Sequence, residues 1–263
     1  MLLLAVVSCK KNNALQNGAT ANVSNEEAAD LVATSLSSNS NGVSTLSDDA
    51  TNVGSSLSAD LYRPASGQGP VADGAIGRYK PLVLNKALHC GIAVTDSVSR
   101  ANTAGSSVSF SYNLVYSFIL NCDNNLPDSL SGALSFNGSF SGPNLSITDT
   151  GSAAFTVQGL SSKTAYYVLN GEYKRTGAFQ SKVNSTNQGT TSIDIIVSAL
   201  TVTKPVRAII SGTATITVSG NVPKKGNFSY TGTIVFHGNG MATLTLNGTA
   251  YTVNITSGLI TKV

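Results

Sequence analysis

Tryptophan is absent from this 263-residue chain, and charged residues make up only 11% of it, against about 25% in an average soluble protein. A coiled coil needs Glu, Lys, Arg and Ala in bulk, so the low charge excludes that class. The 25 glycines follow no three-residue period, which excludes collagen. A net charge of only +3, with frequent Val, Ile, Leu and Phe in the second half, argues against a wholly disordered chain. The composition therefore predicts a β-rich, exported protein.

A short apolar stretch opens the chain and is far too short to span a bilayer as a helix. It ends in Val6, Val7 and Ser8, followed by Cys9. This order resembles the lipobox of bacterial lipoproteins, in which an apolar residue, a small or apolar one and a small one precede the lipidated cysteine. The resemblance implies that residues 1–9 are a signal segment. It also implies that acyl chains on Cys9 hold the protein on the bacterial outer membrane, on a face that the sequence does not determine.

The chain has three cysteines. If Cys9 carries the lipid, as the resemblance implies, Cys90 and Cys122 remain as a pair. Exported proteins meet an oxidising compartment, where such a pair closes, so we expect a Cys90–Cys122 disulfide. No C-x-x-C or H-x-x-x-H spacing joins these cysteines with His89 and His237, so we expect no metal site.

Residues 10–60 are rich in Ser, Asn, Ala, Thr and Asp and have little apolar mass, which predicts a flexible tether. One part of the tether differs from the rest. Ser24 and Glu27 form the capping-box pattern at the start of a narrow apolar stripe. This pattern predicts one short helix over residues 25–37.

Residues 61–263 are predicted to form a β-rich domain. Its first part, 61–105, contains several prolines and glycines and predicts irregular structure, with one short strand near 82–84. From residue 106 onward, apolar and polar residues alternate, as in strands with one buried face. Five aromatic residues on the apolar face are predicted to line a core or a ligand cavity: Phe110, Tyr112, Tyr116, Phe118 and Phe136.

Short connections between these strands predict antiparallel neighbours. The clearest unit covers residues 226–256, where Asn247 and Gly248 form a strong hairpin signal. Gly171 interrupts an earlier strand and predicts a bulge or a bend. Because the apolar face of such a sheet must be covered, the predicted fold is mainly β. We expect an antiparallel meander that forms a curved sheet, a barrel or a sandwich, with a short N-terminal helix.

The sequence contains neither a G-x-S-x-G nucleophile elbow nor a P-loop. A glycoside hydrolase would need two acids, drawn here from Asp128, Asp149, Glu172 and Asp194. No residue pattern indicates a cofactor, and the chain has no basic helix to bind nucleic acid. These observations predict a protein that is not an enzyme.

The predicted function is that of a non-catalytic, lipid-anchored envelope protein whose β domain is a binding or structural module. The N-terminal lipid would bind the membrane, and the β domain would bind a glycan, an apolar ligand or another envelope protein. The body resembles that of exported lipoproteins in its alternating, Ser- and Thr-rich strands. Two alternatives stay open: a lipocalin-like carrier with an aromatic-lined cavity, and a carbohydrate-active hydrolase.

Overall fold

The computed structural model describes residues 23–60, 82–102, 107–161 and 163–263. Two α-helices precede eleven β-strands in these ranges. The helices are α1 (Asn25–Leu36) and α2 (Val43–Asp60), with a 3₁₀ turn at Ser38–Ser40 between them. The strands are β1 (Ala93–Ala101), β2 (Ser109–Asp123), β3 (Leu126–Ser141), β4 (Leu145–Gln158), β5 (Tyr166–Ser181), β6 (Gln188–Thr203), β7 (Ile209–Val222), β8 (Gly226–Phe236), β9 (Met241–Leu246), β10 (Thr249–Asn254) and β11 (Ile260–Lys262).

The eleven strands form one antiparallel sheet in which every strand pairs with its neighbours along the chain. This confirms the predicted meander. Across the part of the chain that the structure describes, β1 and β11 are the two edges and do not pair with each other, so the sheet is open. Of the three arrangements that the sequence allowed, the protein adopts the single sheet.

Local sequence signals place two features of the sheet correctly, whereas the register shifts at Asn121–Cys122 and Ser198–Thr201 were not predicted. The register between β5 and β6 shifts between Leu169 and Gly171, where a bulge or a bend was predicted. Asn247 and Gly248 join β9 to β10 with φ angles of 44° and 81°, as a tight hairpin requires.

The helix predicted over residues 25–37 is present as α1. The backbone N–H of Glu27 donates to Ser24 Oγ at 3.1 Å, and the backbone N–H of Ser24 donates to Glu27 Oε2 at 3.0 Å. These two bonds are a capping box, which satisfies two amides that the first turn of a helix leaves without partners.

The predicted tether is wrong for residues 43–60, which form α2; residues 10–22 lie outside the described ranges. The polar composition misled the prediction because hydroxyl side chains on this helix bond to its own backbone. Thr51 Oγ1 donates to the carbonyl of Ser47 at 2.7 Å, and Ser55 Oγ donates to the carbonyl of Thr51 at 2.9 Å. Such bonds allow a Ser- and Thr-rich helix to be buried.

The predicted irregular entry over residues 61–105 is also wrong in part, because β1 lies within it. As an edge strand, β1 pairs only with β2, and five of its nine side chains are exposed. Because so few of its side chains are buried, the alternation of apolar and polar residues along β1 is weak. The short strand predicted near 82–84 is not formed, and residues 61–81 are outside the described ranges.

The sheet encloses the two helices. Nine consecutive residues of α1, Ala28–Leu36, are buried, and successive residues project about 100° apart around a helix. A flat sheet covers only one side of a helix, so the sheet must curve around α1. The contacts agree: α1 touches β7, β9, β10 and β11, while α2 touches β3, β4 and β5.

Close packing on the inner face depends on glycines beneath aromatic rings. A Cβ atom at Gly138 would lie 2.2 Å from the ring of Tyr112 on the neighbouring strand. The ring thus occupies the space that a side chain would need, and it shields the glycine backbone. Four cross-strand pairs share this arrangement: Gly132 with Phe155, Gly138 with Tyr112, Gly151 with Phe136, and Gly220 with Phe228.

Candidate functional site

A cluster of buried polar side chains lies where the connection between α1 and α2 meets the sheet. The connection turns sharply, with Asn41 in the left-handed region at φ 56°. A Cβ atom at Gly42 would lie 2.3 Å from the carbonyl oxygen of Ser35, so only glycine fits this close approach. We call the buried side chains around this turn the core ionic cluster: Asn41, Asp49, Arg100, Tyr112, Tyr116, Asp149, Tyr173 and Arg175.

One half of the cluster joins α2 to the first two strands. The guanidinium of Arg100 donates to both carboxylate oxygens of Asp49, at 2.9 and 2.8 Å. The hydroxyl of Tyr116 donates to the same carboxylate at 2.5 Å, and the backbone N–H of Leu82 donates at 3.3 Å. The Asp49 side chain is fully buried. Its two-pronged ion pair with Arg100 supplies hydrogen bonds in place of those that the carboxylate makes with water in the unfolded chain.

The other half of the cluster joins the connection to β2, β4 and β5. Arg175 Nε lies 2.6 Å from Asp149 Oδ2, and both side chains are fully buried. Arg175 also donates to the carbonyl of Ser40 at 2.7 Å and to the hydroxyl of Tyr112 at 2.6 Å. Burial raises the pKa of the Asp149 carboxyl, and the adjacent guanidinium of Arg175 opposes that rise.

The two halves meet at Asn41. Arg100 donates to its side-chain oxygen at 3.4 Å, and the hydroxyl of Tyr173 donates to its backbone carbonyl at 2.9 Å. The sheet therefore holds the helix connection from both sides through charged groups. Because a buried charge is costly without its partners, this arrangement favours one position of the helices within the sheet.

The five aromatic residues predicted as core or cavity lining belong to the core. Tyr112, Tyr116 and Phe118 are at most 1% exposed. The rings of Tyr116 and Phe118 stack at a centroid distance of 5.6 Å, and Tyr112 meets Phe136 edge to face at 6.0 Å. Phe136 is also buried, and Phe110 is half-buried beside the core. Four of the five rings thus pack in pairs, and Tyr112 and Tyr116 also belong to the core ionic cluster.

A shallow, open depression of about 430 Å³ lies over β4, β5 and β6. None of the five aromatic residues lines it. Its lining includes Ser146, Thr148, Ala178, Gln180, Gln188 and Pro223.

The predicted Cys90–Cys122 disulfide is confirmed, with the two Cα atoms 5.6 Å apart. It ties the segment that leads into β1 to the end of β2, where the backbone N–H of Gly91 also donates to the carbonyl of Leu120 at 2.8 Å. Cys9, the predicted lipidation site, lies outside the described residues.

The four acids considered for hydrolysis fall in three environments. Asp128 is exposed, and Asp149 is buried against Arg175. Glu172 and Asp194 lie on the outer face of the sheet, 2.8 and 3.9 Å from the ammonium of Lys174. Burial raises the pKa of Asp194, and the neighbouring Glu172 adds to the rise. None of the four lines the depression on β4–β6.

Sequence reasoning missed most of the core ionic cluster. One signal was present: Arg175 falls on the same side of β5 as Tyr173, and Asp149 on the same side of β4 as Ile147. A charged residue in an apolar register predicts a buried ion pair. Asp49 offered no such signal because it lay in the predicted tether.

Hydroxyl and amide side chains make up much of the outer face of the sheet. Exposed apolar side chains such as Val115, Ile196 and Val235 lie among them, as do the charges of Glu172, Lys174 and Asp194. The strands of the sheet are about 4.8 Å apart, which sets the spacing between neighbouring groups. Ser99 Oγ donates to Asn113 Oδ1 at 2.7 Å across the first two strands. One unbroken row crosses eight strands in register: Ser99, Asn113, Asn137, Thr150, Thr176, Ser192, Ser219 and Ser229.

Comparisons of the chain with protein-family models, curated proteins and solved structures give no match. Among the described residues, no helix has the length and apolar character needed to cross a bilayer. Within those same ranges, His, Cys, Asp and Glu do not gather in threes as a metal site would require.

Proposed function

We propose that the protein is a non-catalytic, lipid-anchored component of a bacterial envelope whose β domain is a binding or structural module. Cys9 is the proposed lipidation site, and the outer membrane is the proposed location. The order of Val6, Val7 and Ser8 before this cysteine supports the anchor. Two or more acyl chains, at about 0.8 kcal/mol per buried CH₂, are enough to hold a protein stably on a bilayer.

The proposal that the β domain is a binding or structural module is supported by the covered inner face of its sheet. The helices α1 and α2 lie against it, and its aromatic residues pack into the core. A partner would therefore meet the outer face, with its row of Ser, Thr and Asn side chains from Ser99 to Ser229. Uncharged hydroxyl and amide groups donate and accept hydrogen bonds at little desolvation cost compared with charges. This chemistry supports a neutral glycan or a polar surface of another envelope protein as the partner.

Metabolic labelling with palmitate tests the anchor. We expect the wild-type chain to carry the label and Cys9→Ala to lose it. The matched control is Cys90→Ser with Cys122→Ser, which removes the other two cysteines and should keep the label. Label that persists in Cys9→Ala would refute the lipidation site.

Binding to purified envelope polysaccharide tests the outer face. Thr150→Glu combined with Thr176→Glu places two negative charges in the middle of the polar row that runs from Ser99 to Ser229, and we expect it to weaken binding. Gly238→Ala, in a turn where the added methyl group meets no atom within 4 Å, is the control. Equal binding by both variants would contradict a role for the outer face in glycan binding.

A further inference from the structure

Four turns of the meander lie at the end of the sheet where α1 starts. They comprise residues 142–144, 182–187, 223–225 and 247–248, and we call them the proximal rim. Successive turns of a meander alternate between the two ends of the sheet, so these four lie at the same end.

Hydrogen bonds hold the start of α1 against the proximal rim. The Asn144 amide donates to both carboxylate oxygens of Asp30 at 3.1 Å. The Asn187 amide donates to both carboxylate oxygens of Glu27 at 2.9 Å. The chain that precedes α1 therefore reaches the domain at this end.

The proximal rim is basic, and it also has exposed apolar side chains. Lys182, Lys224 and Lys225 are exposed there, and the four turns contain no Asp or Glu. The side chain of Val183 is 71% exposed beside them, and Pro223 is also exposed. Exposed lysines interleaved with apolar residues are the composition of surfaces that rest on anionic bilayers.

Three acids of α1 lie nearest the rim, and two of them are partly withdrawn from the surface. Asp30 is only 6% exposed, and Glu27 is half-buried beneath the 182–187 turn. Glu26 is exposed. Val23, just before the helix, is fully buried. The charges on the four turns themselves are therefore all lysines, and the exposed Glu26 offsets part of this positive charge.

The position of Cys9 in the chain points to the same end. It precedes Val23 by 14 residues (23 − 9), a distance of at most about 50 Å when fully extended and about 20 Å for a flexible chain. The opposite end lies farther by the length of a strand such as β2, whose 15 residues span about 50 Å. A lipid on Cys9 thus brings the proximal rim to the bilayer first.

We propose that the proximal rim rests on the anionic headgroups of the bilayer that holds the lipid anchor. This inference rests on the proposed lipidation of Cys9 for its orientation, but the rim's own affinity for lipid can be measured without the anchor. The lysines would contact headgroup phosphates, and Val183 would enter the interfacial layer. The strands would then stand away from the membrane with the outer face open to partners.

Vesicle binding by the full-length, non-lipidated Cys9→Ala chain tests this. We expect binding to vesicles containing phosphatidylglycerol, no binding to pure phosphatidylcholine vesicles, and loss of binding at high salt. In this background, Lys182→Gln with Lys224→Gln should weaken binding about 30-fold. The control removes two exposed lysines elsewhere, Lys86→Gln with Lys163→Gln, and should change binding less than about threefold.

An environment-sensitive dye reports which end meets the lipid. We expect a dye on Ser185→Cys, in the rim, to shift to shorter wavelength on anionic vesicles. A dye on Asn125→Cys, in the β2–β3 turn at the opposite end, should not shift. The inference is overturned if anionic vesicles are not bound, if the control loses as much affinity as the rim variant, or if only the dye at residue 125 shifts. Palmitate labelling of Cys9 is unaffected by any of these outcomes, so the two proposals fail separately.

Discussion

Arg175→Met should be among the most damaging single substitutions in the core. It leaves the Asp149 carboxylate, now 2.6 Å from a guanidinium, buried without a countercharge. It also removes the donors to the carbonyl of Ser40 and the hydroxyl of Tyr112. Breaking one side of a buried ion pair costs about 3–5 kcal/mol, a large part of a total stability of about 5–15 kcal/mol.

The ion pair can be isolated by a double-mutant cycle. Asp149→Leu alone strands the charge of Arg175, whereas Arg175→Met with Asp149→Leu strands neither. We therefore expect the double variant to be less destabilised than Arg175→Met alone. The double variant should still lose about 1 kcal/mol for each hydrogen bond that the two side chains made. Urea denaturation followed by far-UV circular dichroism measures each free energy of unfolding, which suits a chain without tryptophan.

The neighbouring Lys174→Met is the control. Lys174 is half-exposed on the outer face, where it pairs with Glu172, and an exposed ion pair of this kind contributes about 0–1 kcal/mol. If Arg175→Met costs no more than Lys174→Met, or if the two core substitutions are simply additive, the account of the core ionic cluster is refuted.

Three further predictions concern other parts of the fold. Gly138→Ala should cost about 1–3 kcal/mol because its methyl group would overlap an aromatic ring, whereas Gly238→Ala should be neutral; thermal denaturation compares them. Cys90→Ser with Cys122→Ser opens a loop with a sequence separation of 32 and should lower the free energy of unfolding by about 3–4 kcal/mol, with unchanged stability contradicting this. Burial raises the pKa of Asp30 to about 6, so the folded state holds its proton more tightly than the unfolded state. Stability should therefore fall as pH rises from about 4 to about 6, and a urea series should find this dependence reduced in Asp30→Asn.

Elements that depend on neighbouring residues alone were predictable from the amino-acid sequence. Period-2 alternation assigned the strands from β2 to β10, because residues on one face of a strand share one environment. Asn247 and Gly248 fixed a hairpin because both tolerate positive φ, and Ser24 with Glu27 fixed the start of α1 because a capping box uses only neighbouring residues.

The burial of α2 and the curvature of the sheet around both helices depend on long-range contacts, so they became apparent only in the folded protein. The Ser, Thr and Asp residues of α2 read as a solvated tether, since their burial depends on partners far along the chain, such as Arg100 for Asp49. The alternation of apolar and polar residues likewise does not show whether the aromatic face packs into a core or lines a cavity. The same side chains line either one, and the helices that fill the space come from a different part of the sequence.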